Sequence, residues 1–356
     1  MDLKIVWYVL GRLSWAYGCG MVLPLAVSLW YSESSVFAFA AAISVCLALG
    51  KGLTAYGTAP AGEVTNREGI AITALGWIMV MFLGMVPYAA GGYLSVLDGV
   101  FECISGLSGT GATVIPDLEI MPQGILLWRS LTHWFGGLGI IVIFIALFPQ
   151  LGRGTVHMFN AESTGPTSDR NVPRVKEMAK ALFCVYVVFT TAATLACMAC
   201  GMSFLIALNH ACSTIATGGF SPYNTSVAYF DSPLIEGVLA FFMMISSANF
   251  GMYVAAWKRG PKVILHDTEF RTYVGLVAAA TVLMAALLIW QCVTIYHEGI
   301  APENMGENGL RIHDIYSREI VTAHFASIAW SVWVFLALLA VNIIAGKPEQ
   351  KESLRA

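Results

Sequence analysis

Eight apolar stretches of spanning length divide this chain and leave it few ways to fold: residues 5–31, 36–57, 69–90, 123–149, 175–201, 232–257, 270–295 and 319–345. About 20 apolar residues in a helix cross a hydrocarbon core of about 30 Å. A lone segment in lipid must satisfy its own backbone polar groups, so helix is the expected form of each. Composition agrees, with 57% hydrophobic and 12% charged residues, against about 25% charged in an ordinary soluble domain. The formal net charge of −3 offers no basic excess for nucleic acid. Lys4 and Arg12 precede the first apolar run, and no small-residue cleavage site follows it. That run is read as a first transmembrane helix with a cytoplasmic N-terminus.

Two further apolar segments, 97–108 and 204–216, are about a dozen residues each, too short to cross. The first lies in Phe101-Glu102-Cys103-Ile104-Ser105-Gly106-Leu107-Ser108-Gly109-Thr110-Gly111-Ala112-Thr113. The second lies in His210-Ala211-Cys212-Ser213-Thr214-Ile215-Ala216-Thr217-Gly218-Gly219-Phe220. Each sits between two spanning segments and ends in a Thr-Gly turn. Each therefore reads as a re-entrant half-helix that enters the membrane and returns to the same side. Placing Thr110-Gly111-Ala112 on Thr217-Gly218-Gly219 aligns them at an offset of 107 residues, as two copies of a helix–pore loop–helix unit.

The charges test this topology. With both half-helices re-entrant, 16 of the 19 Lys and Arg fall in 1–12, 50–68, 150–180, 258–271 and the tail after 346. Only Arg129, Arg311 and Arg318 fall on the other side. That is the positive-inside pattern, and counting 97–108 and 204–216 as full spans destroys it.

The turns suit an ion path. A dehydrated cation needs oxygens in place of its water, and backbone carbonyls supply them without a full charge in the membrane. Aiming several carbonyls one way takes backbone angles that glycine tolerates. Thr110, Gly111, Thr217 and Gly218 fit this role, with Ser108, Gly109, Ala112 and Gly219 completing the loops. Thr113 and Thr214 add hydroxyls or brace them. The negative dipole ends of the half-helices lie beside the turns and favour a cation. The plain alternative for one Thr-Gly is a packing or bending site, but two in equivalent positions after short half-helices weigh against it. No carboxylate ring lines these segments, which favours a monovalent ion.

At these residues the chain resembles the Trk/Ktr/HKT superfamily of potassium transporters, and within it the bacterial Trk membrane subunits. The likeness extends through Trp134-Phe135-Gly136-Gly137-Leu138-Gly139, Leu147-Phe148-Pro149, Tyr229-Phe230-Asp231-Ser232-Pro233, Asn249-Phe250-Gly251 and Asp267-Thr268-Glu269-Phe270-Arg271, in the family's order from residue 1 to about 329. The resemblance implies two leading helices (1–57), a first repeat (69–149), a cytoplasmic loop (150–174) and a second repeat (175–257). An incomplete third repeat without a filter (270–345) and a cytoplasmic tail (346–356) follow. It also implies potassium as the transported substrate, with no cofactor in the chain. Gly111 matches the position where glycine goes with potassium. The implied setting is a homodimer in the bacterial cytoplasmic membrane, on a nucleotide-binding RCK ring that the basic loops 150–180 and 258–271 would face. The family commonly carries an acid where Glu102 stands, and Glu102 is expected either to brace the filter through backbone amides or to pair with Arg129.

One departure stands out. A third half-helix is expected to begin at Thr322 and run to Ala329, yet Trp330-Ser331-Val332 occupies the filter position, and a fourth repeat is not expected in this chain. The chain is thus expected to be shortened, and one copy is not expected to close a fourfold pore. Two readings follow: a potassium-conducting subunit completed by a second copy or a partner, or a non-conducting homologue acting as a scaffold or remnant. An enzyme is not expected. His133, His210 and His324 read as interfacial or packing histidines, and Cys197-Met198-Ala199-Cys200 as small residues within a membrane helix.

Overall fold

A computed structural model of the chain describes residues 2–60, 65–139 and 172–298. Two compact units, Met1–Phe250 and Gly251–Ala356, make up the chain. Most of the expected loop 150–174, the span 319–345, the third half-helix and the tail 346–356 lie outside the described residues.

The first unit is built on α1 (Leu3–Gly20), α2 (Val22–Trp30), α3 (Ser35–Tyr56), α4 (Asn66–Ala90), α5 (Val96–Ser108), α6 (Gln123–Leu138), α7 (Val172–Ala199), α8 (Phe204–Ile215) and α9 (Pro233–Ser246). The second contains α10 (Phe250–Arg259), which begins at the boundary residue, α11 (Lys262–His266) and α12 (Thr268–Glu298). All regular elements among the described residues are helices. Among the described residues five helical stretches are long and apolar enough to cross a membrane: Leu3–Trp30 (α1 and α2 together), Ser35–Tyr56, Arg67–Ala90, Glu177–Ala199 and Thr268–Leu287. Phe37, Leu97 and Trp257 turn large apolar side chains outward, as lipid permits and water does not.

Local chemistry sets the helix ends. Asp2 caps α1 by accepting from the Lys4 amide. Thr65 and Glu68 form a capping box on α4. Asp267 accepts from the Phe270 amide at the start of α12. α6 begins after Pro122 without a cap of its own. The Glu33 carboxylate, in the α2–α3 turn, supplies one by accepting from Gln123 N at 2.7 Å and Gly124 N at 3.1 Å.

Two apolar runs do not form single helices. The run 5–31 divides at Met21, because Pro24 has no N–H to return to the Gly20 carbonyl. The run 232–257 divides after Ser246. There the hydroxyls of Ser246 and Ser247 bond back to the carbonyls of Phe242 and Met243 and compete with the helix for them. Likewise α6 stops at Leu138, where Gly139 adopts φ 86°. At each of these three breaks the run as a whole stays apolar enough to read as one segment.

α6 is the central strut of the first unit. Its residues 124–133 are all buried. Trp128 donates to the Gly84 carbonyl at 2.9 Å and packs edge-on against Tyr17, Phe39 and Phe135. Further along, a side chain at Gly136 would collide with the backbone of Leu107 at the end of α5. One at Gly137 would collide with Ala216 at the end of α8. The paired glycines of the Trp134-Phe135-Gly136-Gly137 motif therefore let one helix lie against the ends of both half-helices.

Candidate functional site

The two half-helices end alike. In the first, Thr110 N donates to Ser105 O at 3.0 Å and Gly109 N to Gly106 O at 3.1 Å. In the second, Gly218 N donates to Ser213 O at 2.9 Å and Thr217 N to Thr214 O at 3.0 Å. Left-handed residues occur at Gly109 (φ 71°) and Gly111 (φ 72°), then at Thr217 (φ 56°) and Gly219 (φ 89°). Every one of these equivalences falls at an offset of 108, as do the N-caps Ser95 and Ser203. The expected offset of 107 is therefore corrected by one residue. Thr-Gly matched Thr-Gly in letters, but backbone geometry pairs Gly109-Thr110-Gly111 with Thr217-Gly218-Gly219. The counterpart of Gly111 is Gly219, and Gly218 corresponds to Thr110. Thr217 occupies a conformation in which a β-branched residue is an outlier.

The loops meet backbone to backbone. A Cβ at Gly111 would overlap the carbonyl oxygen of Gly218, and one at Gly218 would enter the ring of His133. Thr110, Ala112, Thr217 and Gly219 are exposed among the described residues, whereas Gly218 is buried under His133. Ser108 and Thr110 share a hydroxyl–hydroxyl bond of 2.7 Å. Thr214 is buried, and its carbonyl also accepts from Ser246. Beyond the turns, Asn224 accepts from Leu118 N at 2.9 Å and donates to Asp117 at 2.8 Å, tying the outgoing loops together.

Behind the loops lies a buried ion pair. Arg129 Nε donates to Glu102 Oε1 at 2.6 Å, with both side chains almost wholly shielded. The same carboxylate accepts from the Thr113 hydroxyl at 3.0 Å and from Val114 N at 3.1 Å. Both roles expected of Glu102 are thus present together: it braces the strand leaving the first turn and it pairs with Arg129. The guanidinium also reaches the second loop. Nη1 donates to Ser221 O at 3.1 Å, and the group lies 4.0 Å from the ring centre of Phe220. His133, one helical turn along α6, stacks on that ring at 3.9 Å and meets the Ser213 hydroxyl. Phe220, Ser221 and Ser213 were not singled out in the sequence. The available signal was an aromatic directly after Gly219.

No group of three or more His, Cys, Asp or Glu that would hold a metal ion exists among the described residues. The oxygens of the turns are carbonyls and hydroxyls, a neutral set.

Membrane-length helices enclosing two re-entrant half-helices, whose glycine-rich ends face each other, define a polytopic membrane protein of the helix–pore loop–helix class. The chain belongs to the TrkH cation transport protein family, whose model matches residues 35–297. It is similar to the Trk system potassium uptake protein TrkH of Salmonella typhimurium, 37% identical over 294 residues, covering 82% of this chain and 61% of that protein. It is also similar to TrkG of Escherichia coli K12, 30% identical over 326 residues, covering 88% and 67%. The crystal structure of the potassium transporter TrkH from Vibrio parahaemolyticus superimposes with a TM-score of 0.71 at 32% identity, covering 82% of this chain and 60% of that one. The chain spans about three fifths of the length of the TrkH relatives it matches.

Proposed function

We propose that this chain is a subunit of a potassium uptake pathway in the bacterial cytoplasmic membrane, with its N-terminus in the cytoplasm. The observation that carries this is the pair of facing loops, each left-handed at alternate residues and backed by half-helix C-termini and a buried ion pair. Carbonyls of the two turns, Thr110 and Gly111 in the first and their counterparts Gly218 and Gly219 in the second, with Thr217 beside them, replace the cation's water, and Gly219 gives the second loop the turn that Gly111 gives the first. The dipoles of α5 and α8 add negative potential at the turns. Proteins named for potassium uptake among its relatives support potassium as the cargo. In this reading two copies pair, and the basic residues Lys258, Arg259, Lys262 and Arg271 face a cytoplasmic RCK ring.

Growth of a bacterium lacking its own potassium uptake systems tests the reading. Expressing this chain is expected to restore growth on limiting potassium, and Gly111→Val or Gly219→Val to abolish it with the protein still in the membrane. Absence of rescue by the wild-type chain, with a positive membrane blot, contradicts it.

A further inference from the structure

The two outgoing strands are anchored from different places. In the first loop the anchors belong to its own half-helix: the Ser105 hydroxyl donates to Ala112 O, and Glu102 takes Thr113 Oγ1 and Val114 N. In the second loop, among the described residues, no hydrogen bond from α8 reaches residues 219–221. His210, at the position of Glu102 in the corrected register, makes no such contact, and α9 carries no basic side chain. That strand is instead gripped by α6, through Arg129 on the Ser221 carbonyl and through Arg129 and His133 on the Phe220 ring.

We infer that Arg129, a residue of the first repeat, is the positioning residue of the second filter, and that through Glu102 it sets the geometry of both filters as one unit. The inference rests on reading the two loops as filters. Its physical basis is the shape of the guanidinium. One planar group donates to a carboxylate on one edge, to a carbonyl on another, and offers its face to an aromatic ring. A lysine at 129 keeps the charge beside Glu102 but lacks the fork and the face. The burial of the whole group makes each contact count, because nothing else in the described structure replaces a lost partner.

Hydrogen exchange on the purified full-length chain in nanodiscs tests this, with potassium-dependent thermal stabilisation as a second reading. Arg129→Lys is expected to accelerate exchange at residues 219–223 about tenfold, as loss of one hydrogen bond to a charged group would. Phe220→Leu, which leaves the Glu102 pair intact, is expected to accelerate 219–223 while sparing 112–115. The double variant should go little further than Arg129→Lys alone. In both single variants the preference for potassium over sodium in thermal stabilisation should fall at least about threefold. Wild-type exchange at 219–223 in Arg129→Lys, or a change confined to 112–115, overturns the inference. A wild-type chain that potassium does not stabilise would sink the potassium reading of the loops, while the exchange pattern would still decide how the second strand is held.

Discussion

Glu102 and Arg129 form a buried pair, so removing one member leaves the other charged and stranded. Such losses cost about 3–5 kcal/mol. Glu102→Gln is accordingly expected to lower thermal stability by that order in detergent melting, far more than Glu119→Gln on the exposed loop, and equal melts for the two variants would refute the assignment. Thr217 poses the opposite case. A β-branched residue held at φ 56° stores about 1–3 kcal/mol of strain. Thr217→Gly should therefore raise the melting temperature although it deletes a hydroxyl, and a lowered melt would show that the Thr217 hydroxyl bond to Ala216 O outweighs the strain. That 108–113 and 214–219 form glycine turns closing two short helices was legible in the sequence, because each Thr-Gly pair follows an apolar segment too short to cross a membrane. Their register was not, since the repeated Thr-Gly pair is a stronger match in letters than the backbone positions it occupies.

Among the elements, α6 decides most. Its start is capped by Glu33 from another turn, so Glu33→Ala strips acceptors from two first-turn amides and is expected to cost about 1–2 kcal/mol, read by denaturant or thermal melting. Its far end carries the two glycines that abut α5 and α8. Gly136→Val forces a side chain into the Leu107 backbone and should cost about 3 kcal/mol or more; wild-type stability in that variant would mean α6 does not press on the half-helix. The sequence showed that 123–149 was apolar and that a Gly-Gly pair lay within it. It did not show that the helix stops at Leu138, nor that the glycines serve two different neighbours. Contacts between repeats are set by three-dimensional packing and leave no local periodicity. The divisions at Met21 and after Ser246 do have local signals, Pro24 and the polar Ser246-Ser247-Ala248-Asn249, but a few such residues leave a long run apolar on average, so length alone reads each run as one segment.

At the scale of the molecule, five of the expected spanning segments, those within 5–31, 36–57, 69–90, 175–201 and 270–295, are helical over a length that can cross a membrane, as the cost of bare backbone in lipid leads one to expect. The charge distribution predicts orientation: a cysteine placed at Lys262 should react with an impermeant thiol reagent only from the cytoplasmic side, and one at Asp98 only from outside, each in a background where Cys19 and Cys184 are replaced. The central claim is that the two facing loops pass potassium. Potassium flux into proteoliposomes holding only the purified chain tests it most directly. Potassium uptake is expected to exceed sodium uptake and to be lost in Gly111→Val and in Gly219→Val. Membrane-inserted protein with no potassium flux above empty vesicles, or flux untouched by both substitutions, would contradict it.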